Sequence, residues 1–220
     1  MAQVSDLISE IQDFFGSISD AQALRMLQKR DDELRGRVPI DPETETLSSL
    51  VAGTREYALS NTIAKVFSAR YVRSASTGEA RILQETSVDE LDHTFHDWRG
   101  HGNGEPSRYY IRGGNIGFHN TPSITSSGSY PQVQLEVQKY VTLQSSTNFD
   151  GQIPRGALDA WTFHVLEEWG VMKGDERIEY FRQRKYEGFM LLVESITGRL
   201  SKYHPKIIKG LAMGQGRRII

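Results

Sequence analysis

The sequence predicts an α+β fold, namely an α-helical bundle core with an inserted antiparallel β-sheet region and a flexible C-terminal arm. Apolar residues recur at helical spacing near both ends of the chain, whereas β-branched and aromatic runs separated by turn residues fill the middle. The final residues are basic. The predicted divisions are N-terminal helices of the core in residues 1–43, a β-rich insertion with a short helix in 44–145, C-terminal helices of the core in 146–200, and the basic arm in 201–220.

Composition narrows the classes of protein to be considered. The chain has 220 residues, 38% of them hydrophobic, with a formal net charge of −2 and no cysteine. This is enough apolar material for a folded core, it gives no overall basic field for holding nucleic acid, and it excludes disulfides and cysteine chemistry. The acidic N-terminus and the absence of a run of roughly 18 apolar residues lead us to expect a soluble protein, without a cleaved signal peptide or a membrane partner.

The first segment predicts two helices. An apolar stripe at helical spacing is expected to end at Gly16, and Ser19 with Gln22 forms a capping-box pattern that starts a second helix running to about Arg35. Two prolines shortly afterwards end the helical region. The residues of the two stripes are Val4, Leu7, Ile8, Ile11, Phe14 and Phe15 in the first helix and Leu24, Leu27 and Leu34 in the second.

The middle of the chain predicts strands. Val133, Leu135 and Val137 alternate with polar residues, which is typical of a strand with one buried face. Ser87 and Glu90 form a second capping-box pattern, opening a short helix lined by Val88, Leu91, Phe95 and Trp98. The predicted strands lie near Glu56 to Leu59, Ala64 to Arg73, Ala80 to Leu83, Tyr109 to Ile111, Ile116 to Phe118 and Gln132 to Val141.

Two further helices are predicted to close the core. Pro154 suits a first helical turn, and a stripe from Leu158 through Trp161 to Trp169 predicts a core-facing helix that ends in the turn from Gly170 to Gly174. Asp175 is expected to cap the last helix. Its stripe comprises Ile178, Phe181, Phe189, Leu192, Ile196 and Leu200, and its two glycines, Gly188 and Gly198, weaken the prediction of an unbroken helix.

No arrangement of residues predicts catalysis. The histidines at 93, 96 and 101, with Asp92 and Asp97, are the one group that resembles a metal site; His93 and Asp97 would share a helix face, but His96 would lie on a neighbouring one. The adjacent Glu167 and Glu168 point to different faces and are interpreted as solvated surface. The glycine-rich run at 100–104 is interpreted as a flexible loop, because it lacks the flanking strand and helix of a phosphate site. Hydrolase motifs are absent as well, so we expect no enzyme, catalytic residue, metal or cofactor.

Several segments, taken in order, are similar to one family. The run VAGTREYAL, residues 51–59, resembles the segment that opens the β insertion in head-to-tail connector (adaptor) proteins of tailed bacteriophages. Ser60 stands where many members have proline. Further similar segments are Leu83 with residues 87–92, GEPSRYYIR at 104–112, IGFHNTP at 116–122, Ile153-Pro154 leading into 158–169, and residues 174–189.

The resemblance covers about residues 45 to 195 and implies a structural virion protein. It implies an α-helical core with a β insertion, assembly with copies of itself into a ring of twelve, docking on the portal protein, and a platform for the downstream tail protein. The ring would surround the DNA channel at the portal vertex, in the neck of the virion, after assembly in the host cytoplasm.

The C-terminal arm is the candidate binding segment. From Ser195 onward the chain has six basic residues and no acidic one. Three interpretations stay open: a solvated terminus, a portal-binding arm steered by charge and held by apolar burial, and a segment that contacts DNA phosphates in the channel. The candidate residues are Arg199, Lys202, Lys206, Ile207, Ile208, Lys209, Arg217 and Arg218. A nucleic-acid-binding module acting through this tail is the alternative function, and a metal-dependent enzyme using the histidines ranks last.

Overall fold

A computed structural model describes residues 3–74, 79–100, 103–127, 130–149 and 153–200, with only the backbone of 199 and 200. The chain forms two compact units. Of the described residues, those up to Asp41 and those from Tyr140 to Leu200 form one unit, and those within Pro42–Lys139 form the other. The order of helices, then sheets, then helices confirms the predicted α+β fold class. The predicted arm at 201–220 lies outside the described residues.

The helices and strands of the described residues have the following bounds. The helices are α1 (Val4–Phe14), α2 (Asp20–Arg35), α3 (Val88–Thr94), α4 (Asp159–Lys173) and α5 (Ile178–Leu200). The strands are β1 (Glu43–Leu47), β2 (Glu56–Ala58), β3 (Ile63–Val72), β4 (Ala80–Ile82), β5 (Gln84–Glu85), β6 (Asn103–Gly104), β7 (Arg108–Arg112), β8 (Asn115–Phe118), β9 (Thr121–Pro122) and β10 (Gln132–Lys139).

Capping residues set the starts of the first two helices. The backbone amide of Gln22 donates to the Ser19 hydroxyl, and the Ser19 amide donates to Gln22 Oε1 at 3.1 Å, so the predicted capping box is confirmed. A second capping box, between Gln3 and Asp6, opens α1 and was not predicted. Both boxes satisfy backbone amides that have no partner within the helix.

The starts of the last two helices differ from the prediction. Pro154 is not in a first α-helical turn; it precedes a 3₁₀ helix, Arg155–Leu158, that runs directly into α4. Asp175 does not cap the first free amides of α5. Its carboxylate accepts from the backbone amide of Arg177 at 2.8 Å and from the Arg177 guanidinium, and this ion pair lowers the pKa of Asp175 to about 2.

Helix α5 is continuous across both of its glycines. A Cβ added at Gly188 would lie 2.5 Å from the backbone nitrogen of Ala160 in α4, which is closer than atoms can pack. Glycine is therefore required at 188 because the α5 backbone approaches α4 so closely there. The helical cost of Gly188 is offset by the packing that this approach permits.

The helical unit has one apolar core. Residues from α1, α2, α4 and α5 interdigitate, and aromatic rings from three of these helices meet edge to face, with 5.6 Å between the ring centres of Phe14 and Phe181. Its fully buried members are Val4, Ile11, Ala23, Leu27, Leu34, Val38, Ala157, Ala160, Trp161, Val165, Leu166, Phe181 and Leu192.

The β-rich unit contains three sheets in the described residues. One has the order β1-β10-β3-β4 and is antiparallel throughout, the second has the order β2-β8-β7-β5, and the third pairs β6 with β9. All six predicted strands are confirmed within a few residues. The sheets are mainly antiparallel, as predicted, and two short pairings are parallel: β5 pairs with β7, and β6 pairs with β9. Part of the predicted loop at 100–104 is strand β6.

The short helix of this unit was predicted too long. Ser87 starts α3 by accepting from the Glu90 amide at 3.0 Å, as expected, but the helix ends at Thr94 and Phe95 is extended. Phe95 and Trp98 nevertheless pack with the buried Leu91 and Tyr110. Apolar spacing therefore identified the right contacts in the wrong backbone conformation.

Candidate assembly surfaces

The predicted arm residues lie at or beyond the end of the described chain. Arg199 lies in the last turn of α5, where only its backbone is described. The other candidates, Lys202, Lys206, Ile207, Ile208, Lys209, Arg217 and Arg218, lie outside the described residues.

The described members of the histidine group do not form a metal site. His93 is in the last turn of α3, whereas Asp97 lies beyond the helix end with a left-handed φ of 56°, so the predicted shared helix face is wrong. The Asp92 carboxylate accepts from the Arg99 guanidinium and from Trp98 Nε1, and the bond to Arg99 lowers its pKa. His101 is outside the described residues, and within those residues no three histidine, aspartate or glutamate side chains are placed to share a metal ion.

Glu167 and Glu168 are not simply solvated surface, as the sequence predicted. Both are half-buried and join α4 to its neighbours: Glu167 pairs with Arg182 and Lys185 of α5, and Glu168 pairs with Lys29 of α2 at 2.9 Å. Burial raises the pKa of Glu167, but the hydrogen bonds and charges of Lys185 and Arg182 together outweigh this effect, so the pKa is lowered. These carboxylates are engaged in ion pairs between helices.

His164 is a half-buried titratable group that sequence analysis missed. Its side chain is 17% exposed, and its Nε2 lies 3.7 Å from Glu168 Oε2. Burial, reinforced by the nearby charges of Arg30 on α2 and Lys185 on α5, lowers the pKa of His164 to about 4. A histidine in the middle of an apolar helical stripe gives no local signal of this, because the charges that face it come from other helices.

A buried ion pair lies under Trp161. Asp31 is fully buried; its carboxylate accepts from Arg35 Nε at 2.7 Å and from Trp161 Nε1 at 3.2 Å. Desolvation dominates and raises the pKa of Asp31 despite the arginine. The prediction that Trp161 packs in the core is confirmed, and Trp169 packs partly buried against the same core. Nothing in the local sequence distinguishes Asp31 from the other charged residues near it in α2.

The residues of the VAGTREYAL run build a support for the β-rich unit. Gly53 adopts a left-handed φ of 78° and its amide donates to the Pro122 carbonyl at 3.0 Å. The Arg55 guanidinium donates to the carbonyls of Phe118, His119 and Arg99 and lies 4.9 Å above the Trp98 ring. Arg55 thereby ties β8 and the loop after α3 to the start of β2.

The same run makes two further contacts. The Tyr110 hydroxyl donates to Glu56 Oε1 at 2.9 Å, and the Tyr57 hydroxyl bonds the backbone of Val51. Tyr110 crosses β8 directly over Gly117, where an added Cβ would overlap its ring. Within the β-rich unit, residues of the resembling segments 51–59, 104–112 and 116–122 therefore hold neighbouring strands and loops together.

A family model describing the SU10 adaptor protein matches residues 2–194. The chain belongs to the SU10 adaptor protein family. This is a family of phage head-tail adaptors, so the expected adaptor family is confirmed. A search of curated proteins finds no match.

Membership in the SU10 adaptor family assigns a coarse function. The protein is a structural phage adaptor, a class that interacts with other head and tail proteins in the virion neck. The match spans both compact units but stops at residue 194, before the basic arm. Helices apolar and long enough to cross a membrane do not occur in the part of the chain that the structure describes.

Proposed function

We propose that this protein is a head-to-tail adaptor subunit that forms a ring between the portal and the tail, around the DNA channel. The observation that carries the proposal is the SU10 adaptor match over residues 2–194. The described fold supports it, because two units with separate cores give one subunit more than one surface for neighbours. A closed ring needs two different complementary surfaces on each subunit. Twelve copies are expected from the family resemblance.

The basic arm is proposed to bind the portal. Residues 195–220 carry six positive charges, so the remainder of the chain has a net charge of −8 given the total of −2. A positive arm is complementary to an acidic partner surface, and Ile207 and Ile208 would serve as its apolar anchors there. Packaged DNA in the channel is a second partner for the same cations.

The test is binding to portal-bearing heads that lack this protein. Co-sedimentation of the full chain with the heads is expected, together with loss of co-sedimentation for a variant that ends at residue 200. Far-UV circular dichroism of the truncated variant serves as the control, because the helices of the core end at or before Leu200. Failure of the full chain to associate with portal or heads overturns the proposal.

A nucleic-acid-binding module is the second candidate, favoured by the charge of the arm alone. It predicts that the isolated chain binds duplex DNA with a log–log salt slope of roughly −5, from about 0.9 counterions released for each of six cations. It also predicts that truncation at residue 200 abolishes DNA binding, and that the full chain does not bind portal-bearing heads. Binding to heads without binding to free DNA favours the adaptor.

A further inference from the structure

The four-stranded sheet of the β-rich unit has two open edges. Its order is β1-β10-β3-β4, and in the part of the chain that the structure describes no strand pairs with the outer side of β1 or of β4. All three residues of β4 are exposed, and Ile82 is the most exposed large apolar side chain described, at 66%. Open edges of this kind are able to add a strand from another chain.

The two edges carry opposite charge on the same face of the sheet. Glu43 and Glu45 of β1 lie in register with Val137 and Leu135 of β10, on the core-facing side, and share the single ammonium of Lys139. Two carboxylates on one lysine leave a net charge of −1 at this edge.

At the other edge, Arg81 is the exposed cation. It lies opposite Tyr71 on β3, and Tyr71 pairs with the buried Val133 of β10, so Arg81 projects to the same core-facing side as Glu45. Within the described residues, no acidic side chain lies within ion-pair distance of Arg81.

The alternation of backbone hydrogen bonds along β4 determines which of its residues direct their backbone NH and CO groups away from β3. The Arg73 amide donates to the Glu79 carbonyl and the Leu83 amide donates to the Ala69 carbonyl, so Glu79, Arg81 and Leu83 direct their backbone groups to β3. Because these groups alternate along an antiparallel strand, Ala80 and Ile82 direct theirs outward.

The same alternation carries across the sheet to β1. Tyr71 faces β4, so Arg70 and Val72 on β3 bond to β10, and Val133 and Leu135 on β10 bond to β1. Their partners on β1 are Leu47 and Glu45. The outward-facing residues of β1 are therefore Thr44 and Thr46.

We propose that β4 of one subunit pairs antiparallel with β1 of the next, with Ala80 opposite Thr46, Arg81 opposite Glu45, and Ile82 opposite Thr44. This register matches the outward backbone groups on both strands, and it is also the register that sets Arg81 against Glu45 on one face. A shift of two residues in one direction puts Arg81 opposite Leu47, and a shift in the other puts Ile82 opposite Pro42, which lacks an amide. Charge disfavours the register that sets Arg81 opposite Leu47, and the missing amide of Pro42 disfavours the register that sets Arg81 opposite Glu43, which leaves the pairing with Glu45.

The pairing also has the symmetry that a ring requires. It joins two different edges of the same sheet, so it is heterologous and leaves one free β4 and one free β1 at the ends of any open chain of subunits. It continues the antiparallel order of the sheet without a break. The strands are short, and this suits pairing that forms once a template holds neighbours side by side. The inference rests on the proposed ring and names the contact between its subunits.

Disulfide trapping tests the register. A residue pair opposite each other without direct hydrogen bonds has a Cα separation of about 4.5 Å, within disulfide range. The chain has no native cysteine. Arg81→Cys with Glu45→Cys in one chain, assembled on portal-bearing heads and oxidised, is expected to give a ladder of covalent multimers. Arg81→Cys with Thr44→Cys is the matched control, because those side chains lie on opposite faces, and it is expected to give no ladder.

A charge exchange tests the same contact without a disulfide. Arg81→Glu is expected to lower the number of copies bound to heads at least about tenfold, which corresponds to about 1.4 kcal/mol at each interface. The double variant Arg81→Glu, Glu45→Arg is expected to restore binding. If the native protein binds heads as a ring but the Arg81→Cys, Glu45→Cys variant gives no ladder, this contact is overturned and the proposed function stands. Native copies that do not bind heads overturn both.

Discussion

The burial of His164 makes the stability of the helical unit depend on pH. This imidazole lies on α4 between the side chains of Arg30 and Glu33 on α2, Lys185 on α5 and Glu168 on its own helix. Its pKa is about 4 in the folded protein, against an ordinary value of 6.5. The unfolded chain therefore binds a proton at a pH where the folded chain does not, and acid favours unfolding.

The magnitude follows from the size of the pKa shift. A group with a lowered folded pKa contributes its full stability above pH 6.5 and loses it as the pH falls towards 4. The difference between 6.5 and about 4 corresponds to about 3 kcal/mol in all, of which about 2 kcal/mol is lost by pH 5.

The assay compares urea unfolding of two chains from pH 8 to pH 5, followed by far-UV circular dichroism. His164→Leu removes the titrating group without removing a hydrogen bond, because neither ring nitrogen of His164 has a hydrogen-bond partner in the described residues. The variant is expected to lose about 2 kcal/mol less than the native chain over this range. His96→Leu, at an exposed position, is the matched control. Equal pH slopes for His164→Leu and the native chain would refute the reasoning.

Four substitutions test the packing of the two units. Gly188→Ala is expected to lower the free energy of unfolding by about 1 to 3 kcal/mol, because the added Cβ would overpack against α4. Gly198→Ala in the same helix is expected to raise it by about 0.5 to 1 kcal/mol, because no described atom lies within 4 Å of an added Cβ there. Urea titration of both variants compares the two effects. Arg55→Ala is expected to cost about 2 kcal/mol through lost charged hydrogen bonds, measured as a lower urea midpoint, and an unchanged midpoint would contradict its supporting role. Gly117→Ala is expected to displace the Tyr110 ring at a cost of about 1 to 3 kcal/mol, visible as altered near-UV circular dichroism; a native spectrum would contradict the overlap.

The sequence predicts best those helices and strands whose apolar spacing or capping residues depend only on residues nearby in the chain. The alternation of Val133, Leu135 and Val137 appears as β10, in which all three of these side chains are buried. The capping box at Ser19 is confirmed because it depends on residues three positions apart. Periodicity and caps are local, and local physics determines them.

The features that were missed depend on distant residues. The two-residue strands β5 and β9 are too short to show a period, and their parallel pairing depends on segments about 18 to 24 residues away. His164 and Asp31 acquire their environments from helices far along the chain, so their sequence neighbours carry no mark of burial. The exposed interpretation of Glu167 was wrong for the same reason.

Several residues that carry the family resemblance support the fold. Gly53 and Arg55 hold loops and strands of the β-rich unit, and Gly117 makes room for Tyr110. Such residues report a shared fold and hence a family. Contacts with the portal and the tail are expected from other surfaces, which match those partners. For contact between subunits, we propose the edge-strand residues Arg81 of β4 and Glu45 of β1.

Imaging of the neck in purified virions tests the central claim most directly. Single-particle electron cryomicroscopy of the portal vertex is predicted to show a closed ring between portal and tail, with each subunit fitting the helical unit and the β-rich unit of this chain. A portal vertex whose neck density is fully accounted for by other proteins would contradict the account.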